Sequence, residues 1–144
     1  MYEKSSKSSL FLLEMIISIC FFAVASAVCV QLFAKAHSVN TQSKELNMGI
    51  MKTEEAAELL TNGRGDTGPF LNFYPNSEDL SGIIYVYFDH TWENCDSKGA
   101  AYQMEVRLTQ KDSMETALIN TTESESGNSI YSMEVNYHIP HTLE

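Results

Sequence analysis

The sequence has 144 residues, a length typical of about one domain, and a formal net charge of −10 at pH 7. Such an acidic chain is a poor partner for nucleic acid, because phosphate repulsion would oppose contact before any base could be read. Cys20 and Cys29 lie in an apolar run and Cys95 is alone in the polar part, so a disulfide-stabilised head is excluded.

The first predicted element is an apolar helix from Leu10 to Phe33. These 24 positions contain one charged residue, Glu14. At about 1.5 Å per residue the helix would be roughly 36 Å long, enough to cross a hydrocarbon core of about 30 Å. Lys4 and Lys7 precede the run closely and Lys35 alone follows it. The positive-inside rule therefore predicts a cytoplasmic N-terminus and an extracytoplasmic remainder.

Glu14 is unusual because an ionised carboxylate near a bilayer core is costly and normally has a partner or a task. From its position alone, an incidental carboxylate that reaches toward the membrane interface is an equally good explanation. The residues around Glu14 decide between these two interpretations.

The segment from Ser9 to Ile19, SLFLLEMIISI, follows a basic leader and resembles the type IV prepilin signal of type IV pilins and type II secretion pseudopilins. In that family the leader ends in Gly, and the fifth mature residue is a Glu within an apolar helix. The resemblance makes residues 1–9 the leader and Leu10 the first mature residue. Ser9 and Leu10 stand where the family usually has Gly and Phe.

The resemblance implies both a processing site and a role for Glu14. A prepilin peptidase would cut between Ser9 and Leu10, the new amine would be methylated, and an inner-membrane assembly platform would extract the chain from the membrane. Glu14 would then pair with the first-residue amine of a neighbouring pilin or pseudopilin subunit and set the axial register of a filament. The implied fold is α+β, a long N-terminal helix packed on a small antiparallel β-sheet head.

Residues 34–60 are predicted to continue the helix as an amphipathic stalk. Gly49 weakens this helix by about 1 kcal/mol relative to Ala, and the breaker-rich stretch from Asn62 to Pro69 must end it. The apolar residues recur at steps of 7, 4, 7 and 3, which places them on one helical face: Val39, Leu46, Ile50, Ala57 and Leu60.

Residues 61–144 are predicted to form a β-rich head of three or four antiparallel strands. Ile83 to Phe88 is apolar on both faces, as expected of a central strand. Segments 102–109 and 131–137 alternate apolar and polar residues, which is typical of half-buried strands with one solvated face. Ala117 to Thr121 is a weaker candidate strand between them.

The loop from Asp89 to Asp96 carries a candidate metal site. Asp89, Glu93 and Asp96 could offer carboxylate oxygens to calcium, but EF-hand spacing is absent and a solvated acidic loop is the favoured interpretation. Trp92 is expected to close the end of the sheet rather than to stay exposed as a contact residue. No other metal and no cofactor is predicted.

The sequence does not predict an enzyme. His90 lies near Cys95 in sequence, but nothing marks an orienting third group or oxyanion donors. The favoured function is a minor pilin or pseudopilin subunit of a type IV pilus-like or type II secretion filament, periplasmic or on the cell surface. Two alternatives stay open: a single-pass membrane-anchored extracytoplasmic binding domain that does not assemble, and a secreted protein cut after Ala27.

Overall fold

The computed structural model describes residues 3–139, and the side chains from Lys7 onward. Helix α1, Glu3–Gly63, contributes to two compact units whose boundary falls between Ser43 and Lys44. All other helices and strands of the described chain belong to the second unit. The start of the predicted leader, with the side chain of Lys4, and the last residues of the predicted head, 140–144, lie outside the described part.

The first unit consists of α1 up to Ser43, and every described side chain in it is exposed. Between Leu10 and Phe33, fifteen large apolar side chains are 47–79% exposed. No proline or glycine precedes Gly49, so nothing in the sequence interrupts the helical hydrogen bonds of this segment. The segment is long and apolar enough to cross a membrane, as a single-pass membrane protein requires.

The second unit is built on a five-stranded antiparallel sheet in which strands adjacent in sequence are adjacent in the sheet. Helix α2, Gly68–Phe73, follows α1, and a 3₁₀ turn at Ser97–Gly99 precedes the third strand. The strands are β1 (Glu78–Leu80), β2 (Ile83–Phe88), β3 (Tyr102–Lys111), β4 (Met114–Glu123) and β5 (Ser129–His138).

The C-terminal part of α1 lies against one face of this sheet through small side chains. Its buried residues are Gly49, Thr53, Ala56, Ala57 and Leu60. The hydroxyls of Thr53 and Thr121 of β4 lie 2.8 Å apart within the core. A Cβ atom at Gly49 would lie 2.8 Å from Cγ2 of Ile130, so glycine permits a close approach of the helix to the start of β5.

The predicted α+β layout, a long helix packed on an antiparallel sheet, is confirmed. The sheet has five strands rather than the expected three or four. The additional strand is β1, which has only three residues and no apolar alternation from which the sequence could predict it. The weak candidate from Ala117 to Thr121 is the centre of the ten-residue β4. Helix α1 ends at Gly63, and α2 begins in the stretch predicted to be a turn, with a proline in its first turn.

Only part of the predicted apolar stripe of the stalk is buried in the structure. Ala57 and Leu60 are buried, but Val39 is 52% exposed and Leu46 is 42% exposed. Thr53 is fully buried instead. Close packing of a helix on a sheet selects small residues, and hydrophobicity alone does not identify them.

Candidate functional site on the N-terminal helix

Ser9, Leu10 and Glu14 lie on α1 within the first unit, and all three side chains are exposed. The bond between Ser9 and Leu10, which is the predicted cleavage site, is part of a helical turn. Leu10 is 62% exposed, so most of the side chain predicted to begin the mature chain is accessible.

Glu14 lies in a shallow groove of about 420 Å³ on one side of α1. The lining residues recur at helical spacing: Phe11, Glu14, Met15, Ser18, Ile19 and Phe22. The ion pairs of the described residues join Lys52 to Glu55 and Arg107 to Glu105, so Glu14 has no ion-pair partner there. An apolar groove with one unpaired carboxylate is suited to packing against another helix that supplies a cation.

The hydroxyl of Ser26 shows how a polar group can be accommodated within the apolar run. Its Oγ donates a hydrogen bond to the carbonyl oxygen of Phe22 at 2.8 Å, one turn earlier in the same helix. A carboxylate has no proton to donate, so Glu14 cannot use the helix carbonyls in this way. Among the described side chains no hydrogen bond or ion pair to Glu14 is formed, so its carboxylate is open to a donor from another molecule.

The carboxylates of the predicted calcium loop do not converge on one point. Among residues 3–139, no three His, Cys, Asp or Glu side chains are grouped so that they could hold a metal ion. Oδ1 of Asp89 accepts hydrogen bonds from the backbone N–H and the hydroxyl of Thr91, at 2.8 and 2.6 Å, and from the N–H of Glu93 at 3.1 Å. Asp96 precedes the 3₁₀ turn. Calcium binding in this loop stays an alternative to the favoured interpretation, a solvated acidic loop.

Hydrogen bonds from Thr91 and Glu93 lower the pKa of Asp89, so its carboxylate is ionised and holds the loop in shape. The loop turns back at Trp92, which has a φ of +63° and is 6% exposed. The indole stacks on Tyr102 with ring centroids 4.0 Å apart. The expectation that Trp92 closes the end of the sheet agrees with this burial.

Cys95 is half-buried at the end of the same loop. Burial, and then the negative charges of Asp89 and Asp96, raise the pKa of its thiol. A raised pKa keeps the thiol protonated at neutral pH, whereas nucleophilic cysteines have a lowered pKa.

A buried carboxylate on the core-facing side of β4 is a feature that the sequence analysis missed. Glu115 is 9% exposed, and among the described residues its Oε2 has no hydrogen-bond partner. It lies opposite Tyr137 of β5, and burial together with this carboxylate raises the pKa of Tyr137. The sequence contains a signal for this burial. Glu115 lies an even number of positions from both Ala117 and Ile119, so in a strand all three side chains lie on the same face.

No protein-family model matches the sequence, and neither a curated protein nor a solved structure matches it.

Proposed function

We propose that this chain is a minor pilin or pseudopilin subunit that assembles into a filament through its N-terminal helix after a prepilin peptidase removes residues 1–9. The observation that carries the proposal is an exposed apolar helix with one carboxylate, Glu14, and no ion-pair partner for it among the described residues. The spacing of Glu14 from Ser9 supports the same interpretation.

In this mechanism the apolar segment is held first by lipid and then by the helices of other subunits. Cleavage before Leu10 creates an amine four residues from Glu14, and methylation leaves that amine positively charged. In the assembled filament, Glu14 accepts hydrogen bonds from the amine of a neighbouring subunit. A Glu14 carboxylate buried without its partner would cost about 3–5 kcal/mol. Filaments in which neighbouring subunits pair in another axial register are therefore disfavoured.

Processing is tested by the intact mass of the full chain after co-expression with and without a prepilin peptidase. The expected result is loss of residues 1–9 only when the peptidase is present. Ser9→Gly restores the usual residue of the family and should speed cleavage, whereas Ser9→Leu should abolish it. A cut after Ala27 without the peptidase, or no cut in the Ser9→Gly variant, would contradict the proposal.

Assembly is tested separately by Glu14→Ala in the processed chain. We expect crosslinked oligomers to be lost while membrane insertion and processing continue, because the substitution removes the register contact and keeps the helix apolar. Ser18→Ala is the matched control, since Ser18 lines the same groove, and it should crosslink like the unchanged chain. Equal crosslinking by both variants would contradict the role of Glu14.

A second candidate is a single-pass membrane-anchored binding domain that does not assemble. It is favoured by the second unit, which has its own buried core and includes the sheet. Under this function the Glu14→Ala variant behaves like the unchanged chain in every assay, and the peptidase leaves Ser9 attached. These two outcomes together distinguish the candidates.

A further inference from the structure

The two edges of the sheet differ in length and in chemistry. At one edge β1 has three residues, two of which are the acids Glu78 and Asp79. At the other edge β5 has ten residues and contains no proline and no lysine. Short strands, lysine and proline are the usual protection of an exposed edge. β1 is therefore better protected against strand pairing than β5, whose protection is limited to the charge of Glu134 and a register irregularity near its start.

The register of β4 and β5 identifies the backbone groups that face away from the sheet. Met114 pairs with His138, so Ser113 and Ile139 are opposite each other, and the N–H of Ile139 donates to the carbonyl of Ser113 at 2.9 Å. In an antiparallel pair such bonded positions alternate with positions whose N–H and C=O groups point outward. The outward positions are Ser132, Glu134, Asn136 and His138. No strand of the described chain pairs with them.

A half-buried apolar seam lies beside this edge, on the core-facing side. Met133 and Val135 of β5 pack against the core but stay partly exposed. On α1, Thr61 lines a small pocket with Tyr137 and His138, which shows which flank of the helix faces β5.

Ile50 is on the same flank as Thr61, because a separation of eleven residues is about three helical turns. Ile50 is half-buried and Leu46, one turn earlier, is 42% exposed. Another strand beside β5 would cover Met133 and Val135 with every second side chain.

Among the described residues, the charged side chains beside the edge are two acids, Glu134 and Glu54, and one cation, Arg64, which lines the pocket with Thr61, Tyr137 and His138 at the end of β5. Glu134 is exposed on the solvent face of β5, and Glu54 is exposed on the flank of α1 that also carries Thr61, seven residues later. A second copy of this chain would bring another net charge of −10 and a second Glu134 to the contact, so like charges oppose self-pairing. A cationic side chain opposite Glu134 would be attracted.

We propose that β5 is a docking edge for an extended segment of a partner protein in which apolar and basic residues alternate. The outward N–H and C=O groups of β5 form a ladder with the segment. Its apolar side chains cover Met133 and Val135, and its basic side chains lie beside Glu134 on the solvent face. This inference uses the second unit alone, so it does not depend on filament assembly.

Hydrogen exchange on the full chain in lipid nanodiscs tests the docking. The probe is a blocked nine-residue peptide of alternating valine and lysine, and the control peptide has the same composition with the two residue types in separate blocks. We expect the alternating peptide to slow exchange of the amides of Ser132, Glu134, Asn136 and His138 by about tenfold or more. The control peptide should leave them unchanged, because its side chains cannot sort to two faces of a strand.

Asn136→Pro tests whether backbone pairing is responsible. It removes one outward N–H and leaves the bonds to β4 intact, as proline on an edge strand allows. Asn136→Ala is the matched control, since it removes the same side-chain contact with Thr116 and retains the N–H. We expect the proline variant to weaken binding about tenfold and the alanine variant to stay within about twofold.

Glu134→Lys supplies a second variant should the proline variant not fold, and it should weaken binding of the alternating peptide at low salt more than at high salt. Four results would overturn the proposal: no protection of the outward amides, equal binding of both peptides, equal binding of the Asn136→Pro chain, or no effect of Glu134→Lys. Concentration-dependent protection without peptide would overturn it too, because the occupant would then be a second copy of the chain.

Discussion

The two units of the chain place their apolar side chains in opposite environments. In the first unit Phe21 and Phe22 are 77% and 75% exposed, whereas in the second unit Phe70 and Phe88 are fully buried. One sequence thus contains an exposed apolar segment, long and apolar enough to cross a membrane, and a segment with its own buried core. Only the second is stabilised by packing within the described chain.

Carboxylates differ between the units in the same way. Glu55 of the second unit accepts hydrogen bonds from the hydroxyl of Tyr74 at 2.9 Å and from Nζ of Lys52 at 3.1 Å, whereas Glu14 has no such partner within the described residues. The difference teaches that the acidic side chain of Glu55 is paired within its own unit. The charge of Glu14 has no such pairing among the described residues.

The largest expected effect is on the core of the second unit. Phe88→Ala should lower the free energy of unfolding by about 3–5 kcal/mol, because it leaves a cavity where the ring packs between Tyr74 and Trp92. Urea unfolding followed by near-ultraviolet circular dichroism measures this. Phe73→Ala is the control, and since Phe73 is 50% exposed its effect should be about 1 kcal/mol or less. Similar effects of the two variants would contradict the assigned core.

A charge in the first unit should leave that core intact and disturb membrane insertion instead. Phe21→Arg places a cation at the centre of the apolar run, which should cost about 2.5–3.5 kcal/mol of insertion free energy. The measurement is the inserted fraction of the chain after synthesis in the presence of inner-membrane vesicles. Phe21→Leu should insert normally, and equal insertion of the Arg variant would mean that the segment does not span the bilayer.

The buried hydroxyl pair between α1 and β4 should have an intermediate effect. Thr121→Val keeps the shape of the side chain but leaves the hydroxyl of Thr53 unpaired in the core, so we expect a loss of about 1–3 kcal/mol. The double variant Thr53→Val/Thr121→Val should recover most of this loss. A double-mutant cycle from urea unfolding measures the coupling, and simple additivity of the two single effects would exclude a direct bond.

The smallest expected effect is a loss of stability at alkaline pH. Burial, and then the charge of Glu55, raise the pKa of Tyr74, and burial followed by Glu115 raises that of Tyr137. The folded pKa exceeds the unfolded value of about 10, so this contribution to stability is complete below pH 10 and declines above it.

Between pH 10 and pH 11 Tyr74 should remove about 1 kcal/mol of stability, and Tyr137 should remove less, because solvent screens its more exposed hydroxyl. Unfolding midpoints measured across this range test the effect. Tyr74→Phe should flatten the dependence, and Tyr131→Phe is the control, because Tyr131 is only half-buried. A flat dependence in the unchanged chain would show that the two hydroxyls are accessible to solvent in the folded state.

The helix and most of the strands follow directly from residue pattern, because a long apolar run and period-two alternation are strong physical signals. The buried Thr53 and Glu115 did not follow, since polar side chains enter a core only when distant residues pack around them. The three-residue β1 exists through its pairing with β2 rather than through its own sequence. The functions of Ser9, Leu10 and Glu14 stay predictions, because the proposed roles depend on other molecules and not on packing within the chain.

The single tryptophan of the sequence, Trp92, lies in the second unit, stacked on Tyr102. Its fluorescence therefore reports whether the sheet and its loop are folded, without a signal from the apolar helix. Far-ultraviolet ellipticity, in contrast, includes the whole of α1. In detergent or lipid, a shift of the tryptophan emission to longer wavelength with retained helical ellipticity would identify a state in which the head has melted and the membrane segment has not.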